Sequence, residues 1–120
     1  APLNGREPWR DPMRPAAECE TMAQIRAEID RVDRVLVALL AERTSYIDRA
    51  AQIKGPLQMP ARITPRVEEV VANVRAEAAV HGLPPDLIEK LWRRLIDWSI
   101  AREEGVLGPE WGETEEGDRA

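Results

Sequence analysis

The stretch TMAQIRAEIDRVDRVLVALLAERTSYIDRAAQIK, residues 21–54, decides the fold. Met22, Ile25, Ile29, Val32, Leu36 and Leu39 step by threes and fours, the spacing of one apolar face on a helix. Arg43 takes the next position on that face, Ile47 and Ala50 resume it, and Lys54 follows. Arg43 and Lys54 are eleven residues apart. At about 100° per residue they stand only about 20° out of line. Two cations therefore occupy a face that should be buried, and a buried charge needs a partner or costs several kcal/mol. The sequence poses the question of which anion they meet.

No Gly or Pro interrupts residues 21–54, and Gly55-Pro56 is expected to stop the helix. A helix of about 34 residues is about 50 Å long. A domain of about 100 residues has a radius of gyration near 13 Å. The apolar face of so long a helix needs a cover, and a second copy of the chain is the simplest one. The expected architecture is all-α: a three-helix protomer with one very long first helix, in an intertwined homodimer.

Thr21 suits the N-cap of this helix, and Glu20 adds a favourable charge beside the positive end of the dipole. Arg26, seventeen residues before Arg43, points about 100° away around the helix. It suits a surface position, or a partner chain's pocket in a dimer. Residues 55–63 read as a loop carrying Pro56, Pro60 and Arg62. Thr64-Pro65 opens a second helix as N-cap and first helical residue, with Val67, Val70, Val71, Val74 and Ala78 on its apolar face. Arg66 sits in its first turn, where the dipole disfavours a cation unless an anion is near. His81-Gly82 is the expected stop. A third helix runs from Pro84-Pro85-Asp86 to about Glu104, with Ile88, Leu91, Trp92, Leu95 and Ile96 as its buried stripe. Ser99 and Glu103 continue that line, so the stripe turns polar at one end. A fraying terminus or the wall of a polar pocket explains that change.

The domain is expected over residues 21–104, between a disordered leader at 1–20, containing Pro2, Pro8, Pro12 and Pro15, and a disordered acidic tail at 105–120. Net charge is −5, yet residues 21–104 carry 13 Lys or Arg against 13 Asp or Glu, so the acidity lies in the ends. A nucleic-acid binder normally carries a basic excess on its folded part, and this chain does not. No run approaches the roughly 18 apolar residues of a membrane span, and no apolar signal segment opens the chain. The single cysteine, Cys19, excludes an intrachain disulfide. A cytoplasmic protein without nucleic-acid or membrane partners is expected.

One His and one Cys make no metal cluster, and His81 at a helix end suits dipole complementation better than catalysis. No Gly-rich phosphate loop and no credible Ser-His-Asp set is present. What remains is a cationic group on helices, namely Arg43, Lys54, Arg66 and Arg26, accompanied by Ser99 and Glu103. Guanidinium groups grip carboxylates bidentately, so the set suits a small polyanion, especially a dicarboxylate.

The segments Ile25-Arg26-Ala27-Glu28-Ile29-Asp30-Arg31-Val32-Asp33, Leu39-Leu40-Ala41-Glu42-Arg43, Lys54, Pro65-Arg66 and Ile96-Asp97-Trp98-Ser99-Ile100-Ala101-Arg102-Glu103 resemble, in order and spacing, the all-helical AroQ-type chorismate mutases. The resemblance covers residues 20–104. It implies an intertwined dimer with two sites and a cofactor-free Claisen rearrangement of chorismate to prephenate. It assigns Arg43 to one substrate carboxylate and Arg26, from the partner chain, to the other. Lys54 donates to the ether oxygen and also meets a carboxylate. Arg66 and Ser99 line the substrate, and Glu103 stands where many members have Gln facing the ether oxygen.

Negative charge grows on that oxygen as the C–O bond breaks, so fixed donors there stabilise the transition state over the ground state. The arginines hold the compact diaxial substrate. Lys54, Glu103 and Arg43 are thus the catalytic candidates, and Arg26, Arg66 and Ser99 complete the substrate-binding set. Two positions depart from the family pattern: Val67 and Ile63 stand where acidic residues are usual. The related isochorismate-pyruvate lyase branch also resembles this chain, and Val67 agrees with its apolar position. Ser99, where that branch tends to be aromatic, and Glu103 favour the mutase. A non-catalytic dimeric helical module is the reading from another class, and it leaves Arg43 and Lys54 without an anion.

Overall fold

A computed structural model describes residues 7–107. The described residues form three α-helices, α1 (Met22–Leu57), α2 (Thr64–Val80) and α3 (Pro85–Leu107), with no strand among them. The all-α class is borne out. No helix among them is long and apolar enough to cross a membrane. The chain divides into two compact units, residues up to Ser45 and residues from Tyr46 onward.

In the first unit, α1 opens on a reciprocal cap. Thr21 Oγ1 accepts the Gln24 N–H at 3.1 Å, and Gln24 Oε1 accepts the Glu20 and Thr21 N–H groups at 2.7 and 3.3 Å. Three otherwise orphaned donors are satisfied by this capping box, as Thr21 promised. Met22, Ile29, Val32, Leu36 and Leu39 on the apolar face remain exposed in the protomer. Residues 7–20, whose composition reads as a leader without structure, carry two single 3-10 turns, Pro8–Arg10 and Ala16–Glu18. The Arg14 N–H donates to Glu28 Oε1 at 2.9 Å, Asp11 lies 3.8 Å from Arg34, and Pro8 is buried.

In the second unit, α1 does not stop at Gly55-Pro56 as expected but continues to Leu57 with Pro56 inside it. Proline's φ suits a helix, and in the last turn its missing N–H costs a single bond. The stop comes from the next residue, Gln58, at φ +56°. The Gln58 N–H donates to Gly55 O and the Met59 N–H to Lys54 O, both at 3.0 Å. This is a Schellman cap with glutamine at its left-handed position. The cap of α2 repeats the motif with Gly82 at φ +75°, the Leu83 N–H on Ala78 O at 2.8 Å and the Gly82 N–H on Ala79 O at 3.3 Å. At its start α2 differs by one residue from expectation: Ile63 is the N-cap, without a side-chain bond, and Thr64 is already helical. Pro65 is harmless there because a first-turn N–H has no intrahelical partner.

The core of this unit is Ala61, Val71, Ile96 and Ile100, with Val67, Val70, Trp92 and Leu107 packed around it. Helices α2 and α3 thus meet through the predicted stripes. Leu91 departs from its expected burial and is exposed. On the outside, Arg93 of α3 grips Glu68 of α2 with two nitrogens at 3.0 and 3.1 Å, and Glu89 one turn away at 2.7 Å. These hydrogen bonds hold both carboxylates below the ordinary range and raise the guanidinium above its own. Helix α3 runs past the expected end at Glu104 to Leu107, so Glu103 lies within a formed helix and not at a fraying end. The remaining tail, including Trp111, lies outside the described residues, as do residues 1–6.

Candidate functional site

The polar centre of the second unit is built on the last turn of α1. The Schellman cap fixes the Lys54 backbone and turns the chain back, so that residues 58–63 pass in front of the Lys54 side chain. Lys54 Nζ donates to the Ala61 carbonyl at 2.8 Å. Glu103 Oε1 lies 2.8 Å from the same nitrogen. The Lys54 side chain is 16% exposed and that of Glu103 is 5% exposed. The C-terminal end of α1 favours a cation at this place through its partial negative charge.

Glu103 is in this position because of its helical phase. It follows Ser99 by four residues on the inward face of α3, beside Ile96 and Ile100. All four are buried. Ser99 satisfies its hydroxyl by donating to Leu95 O at 2.8 Å. With Glu103 buried, its carboxylate depends on the ammonium for compensation, since a buried charge left alone would be costly. The arrangement offers an ammonium with three N–H donors, of which one is committed to the Ala61 carbonyl. It is suited to meeting growing negative charge on an oxygen.

Around this centre the other candidates divide. Arg66 is exposed on the first turn of α2 and donates to Glu69 Oε1 at 2.6 Å, the local anion that its position called for. Val67 is half-buried against the core cluster, and Ile63 is half-buried in the loop. Arg26, exposed, and Arg43, half-buried, belong to the first unit on α1. The structure thus brings Lys54 and Glu103 together, with Ser99 one turn away.

Sequence reasoning missed three contributors. The Ala61 carbonyl carries no side-chain signal. Arg62 donates to Asp97 Oδ1 at 3.0 Å across 35 positions of sequence, a separation no local pattern reveals. Arg102 holds both oxygens of Asp48 at 2.6 and 3.1 Å and lies 5.6 Å from the centroid of the Trp98 ring. That distance is within cation–π range. The hydrogen bond from Arg102 keeps the Asp48 carboxyl below its usual range, and in return raises the guanidinium. Among the described residues no group of three His, Cys, Asp or Glu is placed to hold a metal ion.

Comparisons with known proteins find relatives over most of the chain. The family described as chorismate mutase type II matches residues 25–104. The T-protein of Enterobacter agglomerans is 34% identical over 82 residues, 68% of this chain and 22% of its own length. The chorismate mutase of Methanocaldococcus jannaschii is 28% identical over 88 residues, 73% of this chain and 89% of its own. The isochorismate pyruvate lyase of Pseudomonas aeruginosa is 30% identical over 95 residues, 76% of this chain and 89% of its own. The chain therefore spans about a fifth of the T-protein and most of the other two. No solved structure matches it.

Proposed function

The chain belongs to the chorismate mutase type II family, and from that premise we propose that it catalyses the rearrangement of chorismate to prephenate. The observation that carries the proposal is the Lys54 ammonium, fixed at 2.8 Å from both the Ala61 carbonyl and Glu103 in a largely buried setting. Reaction needs a donor at the ether oxygen as the C–O bond breaks, and a preorganised ammonium costs no reorganisation at that moment. When the dicarboxylate substrate enters, its oxygens take over the compensation of Lys54. Glu103, beside the ammonium, occupies the position that faces the ether oxygen in the family pattern.

Arg43 binds one substrate carboxylate. Ser99 and Arg66 are the further substrate-binding residues of this reading, and Arg66 exchanges Glu69 for the substrate. Arg26 reaches the site of a second copy. A homodimer is supported by the exposed apolar face of α1, where Ile29, Val32, Leu36 and Leu39 lack a cover within the protomer. The natural setting of such an enzyme is aromatic amino acid synthesis in the cytoplasm. We assign the catalytic domain to residues 21–104, with α3 running on to Leu107 and residues 7–20 making contacts to α1. The test is incubation of purified protein with chorismate and identification of the product. Prephenate formation that disappears in Lys54→Met supports the proposal, and no turnover overturns it.

One observation favours a second reading. Val67 packs against the core cluster where a mutase commonly presents a carboxylate to the substrate hydroxyl. Elimination of pyruvate from isochorismate is the alternative at the same site. Salicylate and pyruvate formed from isochorismate, with chorismate left intact, would decide for it.

A further inference from the structure

We propose that Arg62 and Asp97 form a latch whose role is to position the Lys54 ammonium. The inference rests on the reading of Lys54 as the donor to the substrate, and it adds two positioning residues that neither touch substrate nor belong to the set above. Lysine has a flexible four-carbon stem and a rotatable head, so its direction must be imposed from outside. Two groups impose it here, the Ala61 carbonyl at 2.8 Å and the Glu103 carboxylate at 2.8 Å. The first is carried by the loop over residues 58–63 and the second by α3, so the direction of Nζ depends on how loop and helix are registered.

The loop is tied at its start by the cap, where the Met59 N–H meets Lys54 O at 3.0 Å. At its end it is tied to α3 by the Arg62 guanidinium on Asp97 Oδ1 at 3.0 Å. Arg62 directly follows Ala61, and Asp97 lies on the same helix as Glu103, six residues earlier. The buried packing of Ala61 against Ile96 and Ile100 sets the loop on α3, and the Arg62–Asp97 pair adds a directional tie between the two partners of Lys54. Asp97 is 65% exposed on its side chain, and an ion pair of such exposure contributes little to stability. Its removal should leave the fold intact while loosening the loop, which makes the proposal separable from a structural role.

The chain has two lysines, Lys54 and Lys90, and Lys90 is exposed on α3. Competitive acylation of amines, read by mass spectrometry, reports Lys54 directly with Lys90 as internal control. The wild-type chain, Arg62→Ala, Asp97→Ala and the reversed pair Arg62→Asp with Asp97→Arg are compared, together with their kcat and KM on chorismate. Expected is slow labelling of Lys54 in the wild type. Each single variant accelerates labelling, lowers kcat about tenfold, as misplacement of a reacting group does, and changes KM less. The reversed pair restores both. Unchanged Lys54 labelling in the folded single variants overturns the latch. So does unchanged kcat in an active enzyme. If the wild type does not turn over chorismate, the proposed function fails, and the labelling ratio still decides the latch.

Discussion

Replacement of Lys54 by Met is the most informative single change. It keeps the apolar stem and removes the charge, so Glu103, with its side chain 5% exposed, loses its counter-ion. Breaking a buried pair from one side costs about 3–5 kcal/mol. Lys54 retains 16% exposure, which lets some water reach the orphaned carboxylate, so the lower end, about 3 kcal/mol, is expected. Glu103→Gln alone leaves Lys54 bound to the Ala61 carbonyl and beside a neutral amide, at a cost of about 1 kcal/mol. In Lys54→Met with Glu103→Gln no charge remains to be compensated, and stability should return to within about 1 kcal/mol of the wild type. Urea unfolding measures all four proteins, at one protein concentration because association shifts apparent stability. An unchanged m-value keeps the comparison valid. In thermal terms the single variant should melt roughly 12–24 °C lower, at about 4–8 °C per kcal/mol. The reasoning is refuted if Lys54→Met is as stable as the wild type, or if adding Glu103→Gln recovers nothing.

Three further outcomes are expected. Glu103→Gln places an amide N–H at the ether oxygen, so chorismate turnover should persist in that variant and fall about 10²-fold in Glu103→Ala, as read by kcat. Gln58 at φ +56° occupies a conformation that disfavours side chains, so Gln58→Gly should raise stability by about 0.5–1 kcal/mol, and Gly82→Ala at φ +75° should lower it by about 1 kcal/mol, both by chemical denaturation. Hydrogen bonds from Arg93 keep Glu68 and Glu89 below the ordinary carboxylate range, so folding binds fewer protons than the unfolded chain there. Their contribution is present above the unfolded carboxylate pKa and is lost as pH falls through the depressed folded values, and Arg93→Gln should make the acid limb of the stability curve shallower.

Much of this was legible from periodicity. The inward stripes of α2 and α3 follow from their spacing, and Ser99 and Glu103 were visible as the polar end of a buried face. The anion demanded by Lys54 was not legible, because its partner lies 49 positions later and a backbone carbonyl shares the task. Helical phase shows that a cation faces inward but not what stands opposite. The end of α1 differs from the expectation because Pro56 is tolerated in a last helical turn, while the stop is conformational and falls on an ordinary glutamine. The Arg62–Asp97 pair depends on where a loop returns, which tertiary packing decides. Arg66 illustrates the opposite case: its anion, Glu69, stood three residues away in plain view.

The contacts of residues 7–20 bear on how the protein is handled at the bench. Pro8 is buried, Arg14 donates its N–H to Glu28, and Asp11 faces Arg34. A chain trimmed to residue 21, as a boundary drawn from composition would suggest, leaves Glu28 to Arg31 alone and uncovers the first turns of α1. Trimmed and untrimmed preparations would then present different surfaces to any neighbour, so their self-association should not be used interchangeably.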